Sequence, residues 1–157
     1  MPRQPLTLHA ATPEQTSGIA RSLGAILQPG DVILLEGDVG AGKTHFARSL
    51  IQSLLRHPED VPSPTFTLVQ TYDAVTAEIW HADLYRLTSV REIDELGLTE
   101  AFESAICLVE WPDRLGPLRP AHALTLALRP GDGENARVIT AHWTDAKWND
   151  RLAQVAA

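Results

Sequence analysis

Leu6 and Leu8 alternate with polar neighbours, and Thr12-Pro13-Glu14-Gln15 then offers an N-cap, a proline at the first helical position and a capping-box partner. This pattern predicts a short strand and a helix running to residue 27, ended by Gln28-Pro29-Gly30. Asp31-Val32-Ile33-Leu34-Leu35-Glu36 is a continuous β-prone run of the kind buried on both faces of a parallel sheet. Glycines follow at once. Beyond them Phe46, Leu50, Ile51, Leu54 and Leu55 recur near the helical period, so residues 44–56 are predicted to be a helix.

Residues 65–72 and 75–82 alternate well enough to form two strands of an antiparallel hairpin, joined by a tight connection at Asp73-Ala74. Ser89-Val90-Arg91-Glu92 reads as a capping box that opens a short helix through Glu95, closed near Gly97, with another helical turn or two over residues 99–104. Ile106–Glu110 is a second buried-strand run. Residues 122–129 and 137–143 flank the turn-rich Pro130-Gly131-Asp132-Gly133-Glu134-Asn135 as a closing hairpin, and Thr144 is placed to cap a final helix. Residues 116–120 and 130–135 read as loops. There is no internal repeat, and the alternation of elements gives an α/β layer structure with antiparallel additions.

A chain of 157 residues with 44% hydrophobic composition closes one substantial core, so a single domain over residues 1–157 is expected. Thirteen Lys and Arg against 20 Asp and Glu leave a net charge of −7, which argues against a long non-specific grip on nucleic-acid phosphates. If RNA is involved, another protein holds it. Cys107, the only cysteine, sits in the apolar run Ala105-Ile106-Cys107-Leu108-Val109 and reads as a buried core thiol in a reducing compartment. No apolar stretch approaches the roughly 18 residues of a membrane span, and the opening residues do not resemble a signal peptide, so a cytoplasmic protein is expected. The acids Glu92, Asp94, Glu95, Glu100 and Glu103 read first as a solvated helical face and second as a docking surface for a basic partner.

Gly37-Asp38-Val39-Gly40-Ala41-Gly42-Lys43-Thr44 matches the whole GxxxxGK[ST] phosphate-loop pattern, and it lies between a buried strand and a helix as that chemistry requires. Its glycines let successive backbone N–H groups turn toward a phosphate, and the following helix adds its N-terminal dipole. Lys43 would reach the β- and γ-phosphates, and Thr44 would place a hydroxyl on magnesium. The fold class that follows is a P-loop NTPase-like α/β domain. Its central sheet is mixed, with parallel core strands, antiparallel hairpins and helices on both faces.

Magnesium also needs an acid at the end of a neighbouring strand. Glu110 ends four apolar residues in the Walker B manner and is assigned to the metal, while Asp83, ending a less apolar strand, is given a supporting role near the γ-phosphate or the attacking water. Ser63-Pro64-Thr65-Phe66 lies where such enzymes often carry a loop that responds to the γ-phosphate, although a hydroxyl beside prolines is more often simply structural. From spacing alone Trp111 is equally a packing residue or a nucleotide-site residue. The histidines, His81 among them, show no ligand-like pairing, so zinc is not expected. No guanine-reading NKxD and no LSGGQ-like signature is present, which favours ATP over GTP.

The segments GDVGAGKT, SPTFTLVQTYD, HADLYRL, DELGL and ICLVEWPDRLG together resemble the bacterial TsaE (formerly YjeE) family, over residues 6–140. The resemblance implies an ATP- and Mg2+-binding ATPase of tRNA threonylcarbamoyladenosine synthesis. Such a component joins the TsaD and TsaB proteins, which modify adenosine 37 of ANN-decoding tRNAs, and its hydrolysis supports repeated rounds; tRNA is met only through that complex. It also implies that Lys43, Asp83, Glu110 and Thr65 form the catalytic group. Thr44 and Glu110 would hold the metal, and Asp38, Val39, Gly40, Ala41, Gly42, Lys43, Thr44 and Trp111 the nucleotide, with Glu14 and Arg137 completing its pocket. Ala82 stands where relatives often carry a bulky aromatic. Two other readings of the phosphate loop are a small-molecule P-loop kinase and a nucleotide-gated binding module without appreciable hydrolysis.

Overall fold

Val32, Ile33, Leu34 and Leu35 are each fully buried, so the strand they form lies in the middle of the sheet with helices on either side. The structure, a computed structural model, describes residues 4–38, 40–64 and 67–156. The first half runs β1 (Leu6–Ala10), α1 (Pro13–Gly24), β2 (Val32–Glu36), α2 (Lys43–Leu54), β3 (Val69–Asp73) and β4 (Glu78–Asp83). The second half runs α3 (Val90–Glu95), α4 (Leu98–Ser104), β5 (Ile106–Glu110), a 3-10 segment (Pro112–Leu118), β6 (Leu124–Pro130), β7 (Arg137–His142) and α5 (Lys147–Ala156).

One sheet has the order β1-β7-β6-β2-β5-β4-β3. β6, β2, β5 and β4 run parallel. The hairpins β6–β7 and β3–β4, with β1 laid on β7, add antiparallel strands at both sides. The mixed sheet expected from the sequence is therefore found. Strand alternation sorts the aliphatic side chains: Ile33, Leu35, Leu108, Leu124 and Leu126 pack with Phe46, Leu50 and Ile51 of α2 and Trp148 of α5. Val32, Leu34, Cys107 and Val109 face Ile93 of α3 and Leu98 and Phe102 of α4. Burial pushes the Cys107 thiol up to about 12, with a smaller push from the Glu78 charge, as befits an inert core residue.

Several boundaries differ from the sequence reading for local reasons. α1 stops at Gly24 because the chain tightens into i to i−3 bonds, Ile26 to Leu23 and Leu27 to Gly24, so Leu27 is buried without being helical. β3 begins at Val69, since Leu68 has a left-handed φ of 69°. β4 begins at Glu78 because a turn closed by the Ala74 N–H on the Ala77 carbonyl occupies residues 74–77. The loop expected at 116–120 is partly a 3-10 helix, bent at Gly116. Thr144 does not cap α5; its hydroxyl donates to the Ala121 carbonyl, and Asp145 accepts from the Lys147 N–H instead.

α5 is anchored to the root of β2. Buried Asp31 pairs with Lys147 at 2.8 Å and Arg151 at 2.5 Å, and the Trp148 indole donates to the His122 carbonyl at 2.8 Å. Burial alone would raise the Asp31 carboxyl, but the hydrogen bonds from Arg151, Lys147 and the Gln28 N–H outweigh it and hold the group below its ordinary value. The five acids at 92–103 are all exposed, as a solvated face. Among the described residues no helix is long and apolar enough to cross a membrane.

Candidate functional site

The chain leaves β2 at its carboxyl end with β5 and β6 parallel on either side, the place where α/β sheets open a crevice. Register sets Glu110 beside both Leu35 of β2 and Asp83 of β4. Because strand residues alternate, His81, Asp83 and Glu110 point to the same side as Ile79, Ile106 and Leu108, the layer of α2.

Gly37 opens the loop at φ 145°, where a Cβ would lie 2.6 Å from the Leu128 carbonyl oxygen, so a side chain has no room. Gly42 begins α2 at φ 101°. Arg137, reaching over from β7, donates from Nε to the Ala41 carbonyl at 2.9 Å and from Nη2 to the Gly40 carbonyl at 3.4 Å. A third bond joins its Nη1 to the Ala136 carbonyl at 2.8 Å. In a trans peptide the N–H points opposite to the preceding carbonyl, so turning the Ala41 carbonyl to Arg137 sends the Gly42 N–H away from it.

The buried Lys43 ammonium donates to the Gly37 carbonyl and stands 3.5 Å from the centre of the Trp111 ring. Burial lowers the lysine below its usual value, while Glu110 first, then Asp83, Asp38 and Asp113, pull in the opposite direction. Trp111 takes a left-handed φ of 59°, unusual for a bulky residue, and Tyr85 leans on it with ring centres 4.8 Å apart. The Thr44 hydroxyl donates to Glu110 Oε1 at 2.9 Å, and the other oxygen of Glu110, Oε2, lies 2.7 Å from His81 Nε2. Asp83 is buried and accepts the Tyr85 N–H at 3.0 Å.

Lys43, Thr44, Asp83, Glu110 and Trp111 thus converge. Asp38 is exposed and uses its carbonyl to accept the Ala41 N–H; Gly40 is exposed and Ala41 buried. Arg137 is at the site, but its bonds go to the loop. Glu14 is exposed on the first turn of α1, and a cavity of about 150 Å³ beside the loop is lined instead by Pro13, Thr16, Gly42, His45, Asn135 and Arg137. Val39 and Thr65 lie outside the described residues. Ala82 is buried with Val109 and Leu84 in the layer of α3 and α4, on the face of β4 opposite Asp83. Sequence reasoning missed His81 and Tyr85. The period-2 pattern of β4, which carries His81 on the face of Asp83, was the available signal for the first.

The donors Thr44 and Glu110 present only oxygen, and among the described residues no three His, Cys, Asp or Glu side chains gather as ligands. One hydroxyl and one carboxylate fit magnesium, which keeps several waters and shares phosphate oxygens, better than a softer metal.

A family model described as "Threonylcarbamoyl adenosine biosynthesis protein TsaE" matches residues 10–139. The chain belongs to the TsaE family. It is 45% identical over 127 residues to the Rickettsia felis "tRNA threonylcarbamoyladenosine biosynthesis protein TsaE", covering 81% of this chain and 74% of that protein. It is 38% identical over 138 residues to the Bacillus subtilis protein of the same name, covering 87% and 85%. The crystal structure of Bacillus subtilis YdiB superposes with a TM-score of 0.80 at 30% identity, over 98% of this chain and 95% of that one. Membership places this TsaE chain in threonylcarbamoyladenosine biosynthesis, with the α/β sheet shared by its structural neighbour.

Proposed function

We propose that this TsaE protein is a single-domain, magnesium-dependent ATPase of the cytoplasm that acts with TsaD and TsaB proteins in the threonylcarbamoylation of tRNA, meeting tRNA only through that complex. The observation that carries this reading is the Thr44–Glu110 hydrogen bond. It joins residues 66 positions apart at the mouth of a strand, glycine loop and helix, next to the Lys43 ammonium.

On this reading the loop from Gly37 to Gly42 receives the phosphates, and Lys43 leaves the Gly37 carbonyl and the Trp111 face to supply positive charge to them. Thr44 and Glu110 hold magnesium, whose charge offsets that developing on the phosphate oxygens. Asp83, in register with Glu110 and fixed by the Tyr85 N–H, orients the attacking water. Trp111 and Tyr85 cover Lys43 and limit access of bulk water. Hydrolysis by the isolated chain is slow, and docking on TsaD and TsaB speeds it by adding a stabilising group.

The test is phosphate release from magnesium-ATP by the wild type, Lys43→Ala and Glu110→Ala, each alone and with purified TsaD and TsaB. Partner-stimulated release that both variants lose supports the reading. ATP binding without release under either condition overturns hydrolysis and leaves a nucleotide-gated module, whereas equal release with and without partners removes the role given to docking.

A further inference from the structure

Glu110 is held at both oxygens: Oε1 accepts from Thr44 at 2.9 Å and Oε2 from His81 Nε2 at 2.7 Å. His81 has no exposed surface, Glu110 almost none, and the second ring nitrogen, His81 Nδ1, has no hydrogen-bond partner among the described residues. Leaving a buried polar atom unsatisfied destabilises the fold, and an aliphatic side chain at this position would avoid that cost. Packing therefore gives no reason for the imidazole. Among the described residues its one polar contact is the carboxylate.

Register explains how the contact arises. His81 precedes Asp83 by one same-face step on β4, and Asp83 lies opposite Glu110 on the adjacent parallel strand. A carboxylate bonded at one oxygen only can turn about its last bond and offer either oxygen to Thr44. Bonded at Oε2 by a ring that the core holds immobile, it cannot.

We propose that His81 is a positioning residue for Glu110: through Oε2 it fixes the carboxylate so that Oε1 stays turned to Thr44, and it thereby sets the magnesium affinity of the site. This rests on the reading of Thr44 and Glu110 as the magnesium pair.

The test is calorimetric binding of a non-hydrolysable ATP analogue as magnesium is titrated, for the wild type, His81→Leu, His81→Asn and His81→Gln, with thermal melting of each. Glutamine carries its amide nitrogen where imidazole carries Nε2, whereas asparagine is one bond too short. His81→Leu and His81→Asn raise the half-saturating magnesium concentration by roughly 10–100-fold, the usual effect of losing a group behind a metal ligand. His81→Gln restores the wild-type value, and binding of the analogue in EDTA is the same throughout. A wild-type magnesium midpoint in His81→Leu overturns the proposal, as does equal impairment of the glutamine and asparagine variants, which marks a packing role. If His81→Leu fails to fold, the contrast between glutamine and asparagine decides. A wild type that binds no analogue at any magnesium concentration overturns the nucleotide reading itself, a failure distinct from the other two.

Discussion

Arg137→Ala removes the guanidinium that holds two carbonyls of the glycine loop. Its 2.9 Å bond to the Ala41 carbonyl is charge-assisted, a class worth about 1.5–3 kcal/mol; the 3.4 Å contact to Gly40 adds little. Arg137 is partly exposed, so the lower end of that range applies, about 1.5 kcal/mol. If this energy keeps the Gly42 N–H turned away from Arg137 and toward a phosphate, its loss appears in binding as roughly a tenfold weaker affinity, since about 1.4 kcal/mol is a factor of ten. The assay is calorimetry in magnesium with two ligands, ATP and inorganic tripolyphosphate. Loop-holding predicts the same loss for both, because on that reading the loop touches only phosphates. A variant that binds tripolyphosphate as the wild type does, but ATP more weakly, refutes this reasoning and makes Arg137 a nucleoside contact.

Gly37→Ala puts a Cβ 2.6 Å from a backbone carbonyl at positive φ, so urea unfolding should show a loss of about 1–3 kcal/mol together with weaker ATP binding. Asp31→Asn leaves Lys147 and Arg151 without their carboxylate and should cost on the order of 3 kcal/mol at pH 7 in the same assay. The folded Asp31 carboxyl is depressed, so its stabilisation is complete above the unfolded carboxylate value of about 3.9 and disappears as pH falls through the lower folded value. The gap between wild type and Asp31→Asn should therefore narrow below about pH 4; a gap independent of pH would show that the ion pairs do not carry it.

Much of the candidate site was legible in the chain because each of its parts is a run of contiguous residues. The glycine-rich stretch after β2, the helix after it and the apolar run ending in Glu110 are local patterns, and the helix and the strand lie where periodicity placed them. Glu14 and Arg137 were assigned to the nucleotide pocket from resemblance alone; in the structure Glu14 is exposed and Arg137 bonds the loop carbonyls. No local pattern reports which way a side chain from β7 will reach.

What the sequence alone determined is whatever depends on neighbours within a turn or a strand: the buried run of β2, the glycines required at positive φ, the capped starts of α1 and α3, and the acid closing β5. Only the tertiary structure decided what depends on register between distant strands. Setting β4 parallel to β5 with Asp83 beside Glu110 brought a buried histidine onto the second oxygen of that acid, and the β6–β7 hairpin carried Arg137 to residues nearly a hundred positions earlier. The physical reason is that hydrophobic alternation fixes which face a side chain occupies, whereas its partner on that face is fixed by strand order and register, which the burial of the whole sheet selects.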